Sequence, residues 1–297
     1  MIIRRSGKGK SPEAAPPSGT LIGMVAVVFG ARGNVGRHVA AGLRDAGLRV
    51  RATSRNPSPG TGLVAADLDR PETLPAVLDG ARQVFLYARP LGVPGFVTAA
   101  RSAGVRHVVL LSSAAVIHAD IECNPIARDH HTVELALEQS GIDWTFIRPG
   151  MFATNALWWW ARSIRTGSVV RVPYPQAQTA PIHEKDMAAL AVTALTRPGH
   201  AGRAYTAYGP QSLTVRQQVE HIAQAIGREV RFAVVPVDEA RVDLGRTMPP
   251  AAVEAVLGLW AAGNGKPAQV STIVEEVTGH PAHTFAQWAH DHADDFR

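Results

Sequence analysis

Seven residues, GARGNVG from Gly30 to Gly36, join an apolar run (MVAVVFG) to an amphipathic segment (NVGRHVAAGLRDAG). Glycines at this spacing allow a tight turn and let the backbone approach a pyrophosphate closely. The helix start that follows offers free N–H groups and the positive end of its dipole. A single glycine could serve any strand-to-helix turn. Three of them in this setting point to a nucleotide loop formed by Gly30, Arg32, Gly33, Asn34, Val35 and Gly36.

The rest of the chain extends the pattern. LRVRATS, GLVAADL, QVFLYA, HVVLLSS and DWTFIRP read as strands, and ETLPAVLDG, PGFVTAARSAG and DHHTVELALEQSG as helices between them. Near-continuous apolar strands alternating with helices of this length predict βαβ units and a sheet buried on both faces. The expected fold is therefore α/β: a doubly wound, mostly parallel sheet with a small C-terminal substrate-binding cap. Residues 21–150 form the nucleotide-binding core and 151–297 mainly the cap. Within the latter, 183–208 return to the core through the strand RAYTAYG. Later segments, including NALWWWARSIRTG, TVRQQVEHIAQAIGREV (with Thr214 as cap), PAQVSTIVEEVTG and FAQWAHDHADDF, read as helical.

Composition excludes several classes. The formal charge of +5 includes four cations against one acid in the first 20 residues, which leaves +2 for the body and no basic stripe for nucleic acid. That Pro/Gly/Ser-rich start reads as a disordered tail, with Met24 as an alternative native start. It has no apolar signal core, and no run reaches the roughly 20 residues of a membrane span, so a cytoplasmic protein is expected. The one cysteine, Cys123, excludes an intramolecular disulfide, suits a reducing compartment and has no motif that would activate it. Oligomeric state stays open, with a homodimer as one option.

The end of the second strand speaks to cofactor choice. An NAD site places a carboxylate there for the ribose 2′-hydroxyl, whereas this chain reads RATSRNP. Arg55, with Arg32, can fork onto a 2′-phosphate that a carboxylate would repel, so NADP(H) is expected. Asp67 is assigned to the adenine end and Tyr87, at the end of the fourth strand, to the cofactor as well.

Taken together, GARGNVG, TSRNP, ADLDRPETLPAVLDGARQVFL, VVLLSSAAV, SGIDWTFIRPGMFATN, PIHEKDMAALAVTAL and the terminal VTGHPAHTFAQWAHDHADDF resemble the NmrA-like, or isoflavone-reductase-like, atypical short-chain dehydrogenase/reductases. In relatives with a full catalytic set, the resemblance implies a serine after the fifth strand and a tyrosine four residues before a lysine. Ser113 matches the serine, but Ile126 and His130 stand at the tyrosine and lysine positions. No other tyrosine is followed by lysine four residues on. Dyad-lacking members include quinone- or dye-type reductases and redox-sensing regulators, so the resemblance leaves both readings open.

The expected activity is NADPH-dependent reduction of an aromatic, quinone or enone-like small molecule, as in a tailoring enzyme. The alternatives are a non-catalytic NADP(H)-binding redox sensor and a non-redox isomerase or cyclase. His130 is the candidate acid–base group beside Ser113, because imidazole titrates near neutral pH. His118 and Asp120 occupy the neighbouring loop, with His118 assigned to substrate. The wall of the substrate pocket is expected from Met151, Phe152, Asn155, Trp158 and Trp159, since such pockets are mostly apolar and aromatic. Asp186 is read as a helix-start residue. His280, His283, His290 and His292 lack a metal-binding spacing, so no metal is expected.

Overall fold

In the computed structural model, which describes residues 23–118, 121–167 and 169–297, seven of the apolar runs form one sheet. The expected tail lies outside the described residues. The strands are β1 (Val25–Val28), β2 (Arg49–Ser54), β3 (Val64–Ala65), β4 (Ala81–Tyr87), β5 (His107–Leu111), β6 (Asp143–Pro149) and, after two short strands of the cap, β9 (Arg203–Ala207). Their order is β3-β2-β1-β4-β5-β6-β9, and every pairing is parallel. This is the doubly wound α/β fold. The order reverses between β1 and β4, so a crevice opens outside their carboxyl ends, where ligands of such sheets bind.

Helices cover both faces. On one lie α1 (Gly36–Asp45) and, later in the chain, α7 (Glu184–Thr196) and α11 (Ile273–Thr278), burying Val39, Leu43, Met187, Leu190 and Val274. On the other lie α2 (Leu74–Leu78), α3 (Val93–Ser102) and α5 (Pro125–Glu138), burying Leu74, Phe96, Val133 and Leu137. The short α4 (Ala115–His118) follows β5. Helix α5 starts before the amphipathic pattern does. Asn124 caps it by accepting from Ala127 N at 3.0 Å, and Pro125 suits the first turn.

The cap has its own core, built on Trp160, Trp260, Trp288, Ile222 and Phe296. Its pieces are α6 (Arg162–Arg165), β7 (Val170–Val172), β8 (Gln178–Thr179), β10 (Leu213–Thr214), α8 (Val215–Ile226), β11 (Phe232–Val234), α9 (Val237–Leu244), α10 (Pro250–Gly263) and α12 (Phe285–Asp291). Thr214 and Gln217 form a reciprocal capping box at the start of α8. Two sequence expectations are corrected here. PAQVS is not helical, and only Ile273–Thr278 of that segment is. Leu157–Ala161 is a π-helical turn leading into α6. Such a turn rotates successive side chains differently from an α-helix, and the three tryptophans separate.

Candidate functional site

At the switch point, the glycines of the loop are used by their neighbours. Gly30 has φ of 65°, a left-handed conformation that favours glycine, and a Cβ there would lie 2.5 Å from the Tyr87 ring. A Cβ on Gly33 would lie 3.0 Å from the Tyr87 hydroxyl, and one on Gly36 would run into the Gly30 carbonyl oxygen. Gly36 N–H, at the start of α1, donates to the Tyr87 hydroxyl at 3.1 Å. An oxygen from outside the helix thus already serves an amide of the kind that binds phosphate. Burial pushes the Tyr87 phenol above its ordinary value, against the pull of the Gly36 and Val35 amides. Val35 is buried and Asn34 exposed in the same turn.

A cavity of about 480 Å³ opens beside this loop. Gly30, Arg32, Arg55, Asp67 and Tyr87 all line it, joined by Arg89, which sequence reasoning missed. Arg89 is ion-paired with Asp69, while Arg32 and Arg55 carry no side-chain hydrogen bond among the described residues. The Asp67 carboxylate accepts from Asp69 N at 3.1 Å and so shapes the loop as well as facing the cavity. Two uncommitted guanidinium groups and a close glycine backbone suit a dinucleotide carrying a 2′-phosphate.

A second cavity, of about 430 Å³, lies further along the same sheet edge. Three strand ends make its floor. Ala114 N donates to Pro149 O and Gly150 N to Ala207 O, each at 2.9 Å, so the ends of β5, β6 and β9 lie side by side. Ser113, Ile126, Met151, Asn155, Trp159 and Tyr208 are among its lining residues. The Ser113 hydroxyl oxygen accepts from Ala115 N at 3.2 Å. The Asn155 amide points its donor at Met151 Sδ, 2.9 Å away. Lysine, arginine, aspartate, glutamate and histidine are absent from the described lining.

Other expected residues fall elsewhere. Phe152 bridges to Ile182 and packs on the core, and Trp158 is 63% exposed. Trp159 sits edge-on to Trp160 and Trp260, with ring centroids 5.5 and 5.2 Å away. His118 ends α4, but its side chain and Asp120 lie outside the described residues. His130 does not join the described lining of either cavity. Its Nδ1 is buried without a hydrogen-bond partner, and burial lowers its pKa against the pull of Glu134 and Asp129. Burial therefore favours its neutral form.

One turn on from His130, Glu134 is buried and forms the polar knot behind Ser113. It accepts from Ser112 Oγ at 2.5 Å and takes a bidentate pair from Arg148, at 2.9 and 2.6 Å. The knot ties α5 to the ends of β5 and β6. Sequence reasoning quoted both VE and IRP without giving either charge a role, although an acid and an arginine in otherwise apolar elements were a signal.

Two of the C-terminal histidines pair with carboxylates. His292 Nε2 bonds Glu184 at 2.7 Å and its Nδ1 bonds Asp295 at 2.6 Å, while His283 Nδ1 lies 2.5 Å from Asp186. The cap of α7 is His183, whose Nδ1 accepts from Lys185 N at 3.1 Å, and Asp186, in the first turn of that helix, also holds His283.

An all-parallel sheet with a glycine turn and basic cavity at its switch point defines an α/β dinucleotide-binding protein. The chain belongs to the NAD(P)H-binding family, whose model matches residues 30–198. It is 40% identical over 280 residues to the (4-alkanoyl-5-oxo-2,5-dihydrofuran-3-yl)methyl phosphate reductase of Streptomyces griseus, covering 91% of this chain and 98% of that one. It is 35% identical to the NAD(P)H azoreductase of Xenophilus azovorans, covering 90% and 97%. Its fold matches that of the NADPH-dependent quinone oxidoreductase of Escherichia coli complexed with NADPH. The TM-score is 0.73 at 23% identity, covering 90% of this chain and 98% of that one.

Proposed function

We propose that the protein is an NADPH-dependent reductase of a conjugated small molecule of the aromatic, quinone or enone class. The observation that carries this reading is the second cavity: an apolar chamber with no charged side chain in its described lining, bordered by Ser113, on the same sheet edge as the dinucleotide groove. Two named reductases that match nearly the whole chain support it.

Gly30, Arg32, Gly33, Asn34, Val35, Gly36, Arg55, Asp67 and Tyr87 would hold the dinucleotide, and NADPH bound there supplies a hydride. The chain's own task is to position the acceptor and exclude water. Trp159, Met151 and Asn155 make the wall, and the Ser113 hydroxyl donates to the developing oxyanion. Conjugation spreads the new negative charge, so the acceptor needs less help than an isolated ketone.

The test is NADPH absorbance during incubation with quinones, azo compounds and polycyclic enones. Oxidation of NADPH matched by loss of the acceptor is the expected result. Tight NADPH binding with no oxidation across the panel would instead make the protein a redox-sensing regulator.

A further inference from the structure

The reductase described above lacks a proton donor at the positions where its resemblance would place one. Ile126 stands for the tyrosine and lines the cavity with an aliphatic chain, and His130 is outside the described lining. The described lining holds one ionisable side chain, and it comes from a different element. That residue is Tyr208, immediately after β9.

Its placement follows from the strand order. The register pairs Leu111 with Ile147 and Ile147 with Tyr205, so Ser113 stands level with Ala207, two strands away, and Tyr208 follows one residue on. At parallel-strand spacing this puts their backbones about 10 Å from each other. A phenol can span most of that gap only by crossing the intervening strand end. It does so over Gly150: a Cβ there would lie 2.5 Å from Tyr208 Cδ1 and 2.7 Å from Cε1. Gly150 has no φ requirement for glycine, so the space for this ring is the reason for its lack of a side chain. The Tyr208 backbone is held from below. Its N–H donates to Ser271 Oγ at 3.0 Å, and the Ser271 hydroxyl donates to its carbonyl at 3.2 Å.

We propose that Tyr208 is the catalytic proton donor, delivering its phenolic proton to the substrate oxygen while Ser113 hydrogen-bonds the same oxygen. The proposal rests on the reductase reading. In the step, a hydride from NADPH forms a C–H bond at the electrophilic carbon and an electron pair moves onto the oxygen. The Tyr208 O–H bond breaks, its proton neutralises that oxygen, and the tyrosinate regains a proton from water. NADPH is oxidised by two electrons and the acceptor reduced by two. Burial raises the Tyr208 pKa, so the phenol carries its proton at neutral pH.

The experiment compares wild type with Tyr208→Phe, which keeps the ring over Gly150, and with Gly150→Ala, which displaces it. With a conjugated ketone, Tyr208→Phe should lower kcat by about 10²–10⁴-fold, the usual contribution of a general acid. The loss should be smaller with a quinone, whose anion is already stabilised, and NADPH affinity should stay unchanged. A solvent deuterium isotope effect is expected for wild type with the ketone, and it should change in Tyr208→Phe. In cofactor-free protein, a hydroquinone probe should bind more weakly to Tyr208→Phe than to wild type. Gly150→Ala should shift turnover and probe binding in the same direction with the phenol still present. Wild-type turnover retained by Tyr208→Phe would overturn this proposal alone. A wild type that oxidises no NADPH with any acceptor would overturn the reductase reading and this proposal together.

Discussion

Arg32 and Arg55 illustrate how far a single residue can be read without its neighbours. Arg55 is assigned to a phosphate because it stands where an acid is expected and Arg32 because it lies in the glycine loop, and both border the 480 Å³ cavity without a side-chain hydrogen bond among the described residues. Arg89 adds a third positive charge there, partly offset by Asp69. Arg55→Asp should therefore weaken NADPH binding by about 10–100-fold relative to NADH, the worth of one charge-assisted hydrogen bond. Titration of both cofactors by tryptophan fluorescence would check this, and equal losses would remove Arg55 as the discriminator. Tyr87 could be placed near the cofactor but not positioned from sequence. Its hydroxyl on Gly36 N–H and its ring against Gly30 depend on β1 and β4 being neighbours.

At the scale of elements, apolar periodicity located the strands and most helices, while caps and irregular turns set their limits. The π-helical turn is an example. LWWWA reads as helix in any window, yet its rotation sends Trp158 to solvent, Trp159 to the cavity and Trp160 into the cap core. Strand β5 offers an element-level test. Its first residue, His107, is pushed down to about 4 by burial, with Asp143 pulling upward and His200 downward. Thr145 donates its hydroxyl to His200 O at 2.6 Å, so His107 Nε2 carries the proton that meets Thr145 Oγ1 at 2.9 Å. The unfolded imidazole titrates near 6.5, so the unfolded chain takes up a proton first as pH falls. The associated stability is full above pH 6.5 and declines toward pH 4, by about 3 kcal/mol. Denaturant unfolding at both ends of that window should show a smaller acid loss for His107→Gln, and an unchanged loss would assign the effect to other groups.

The whole molecule is tied together by side chains far apart in sequence. Glu184, at the start of α7, bonds Trp288 Nε1 at 3.1 Å and His292 at 2.7 Å, and lies 3.6 Å from Arg37 of α1. Burial would raise its pKa, but its contacts with His183 and His292 outweigh burial and hold it well below the usual range. The C-terminal helix α12 is thereby fastened to the helix that packs beside the glycine loop. Trp288 is fully buried and stacks on Phe285 with ring centroids 5.0 Å apart, so Trp288→Ala should cost about 3–5 kcal/mol. We further expect cap and sheet to unfold in one transition, because this knot spans both. Calorimetry of wild type and variant would show either a single shifted peak or, against this view, two separate ones.

The sequence by itself determined the alternation of strands and helices, the glycine turn after β1 and the basic character of the nucleotide end. It also showed that no tyrosine is followed by a lysine four residues on. These are local properties: periodicity of burial, turn geometry and the charge of adjacent residues are written within a few positions of one another. Only the tertiary structure decided that Glu134 meets Arg148 behind Ser113, that His130 stays off the described cavity wall, and that Tyr208 crosses Gly150. The physical reason is that strand order, not sequence distance, brings these groups together. The phenol just after β9 lies over the glycine just after β6 because those two strands are neighbours in the sheet.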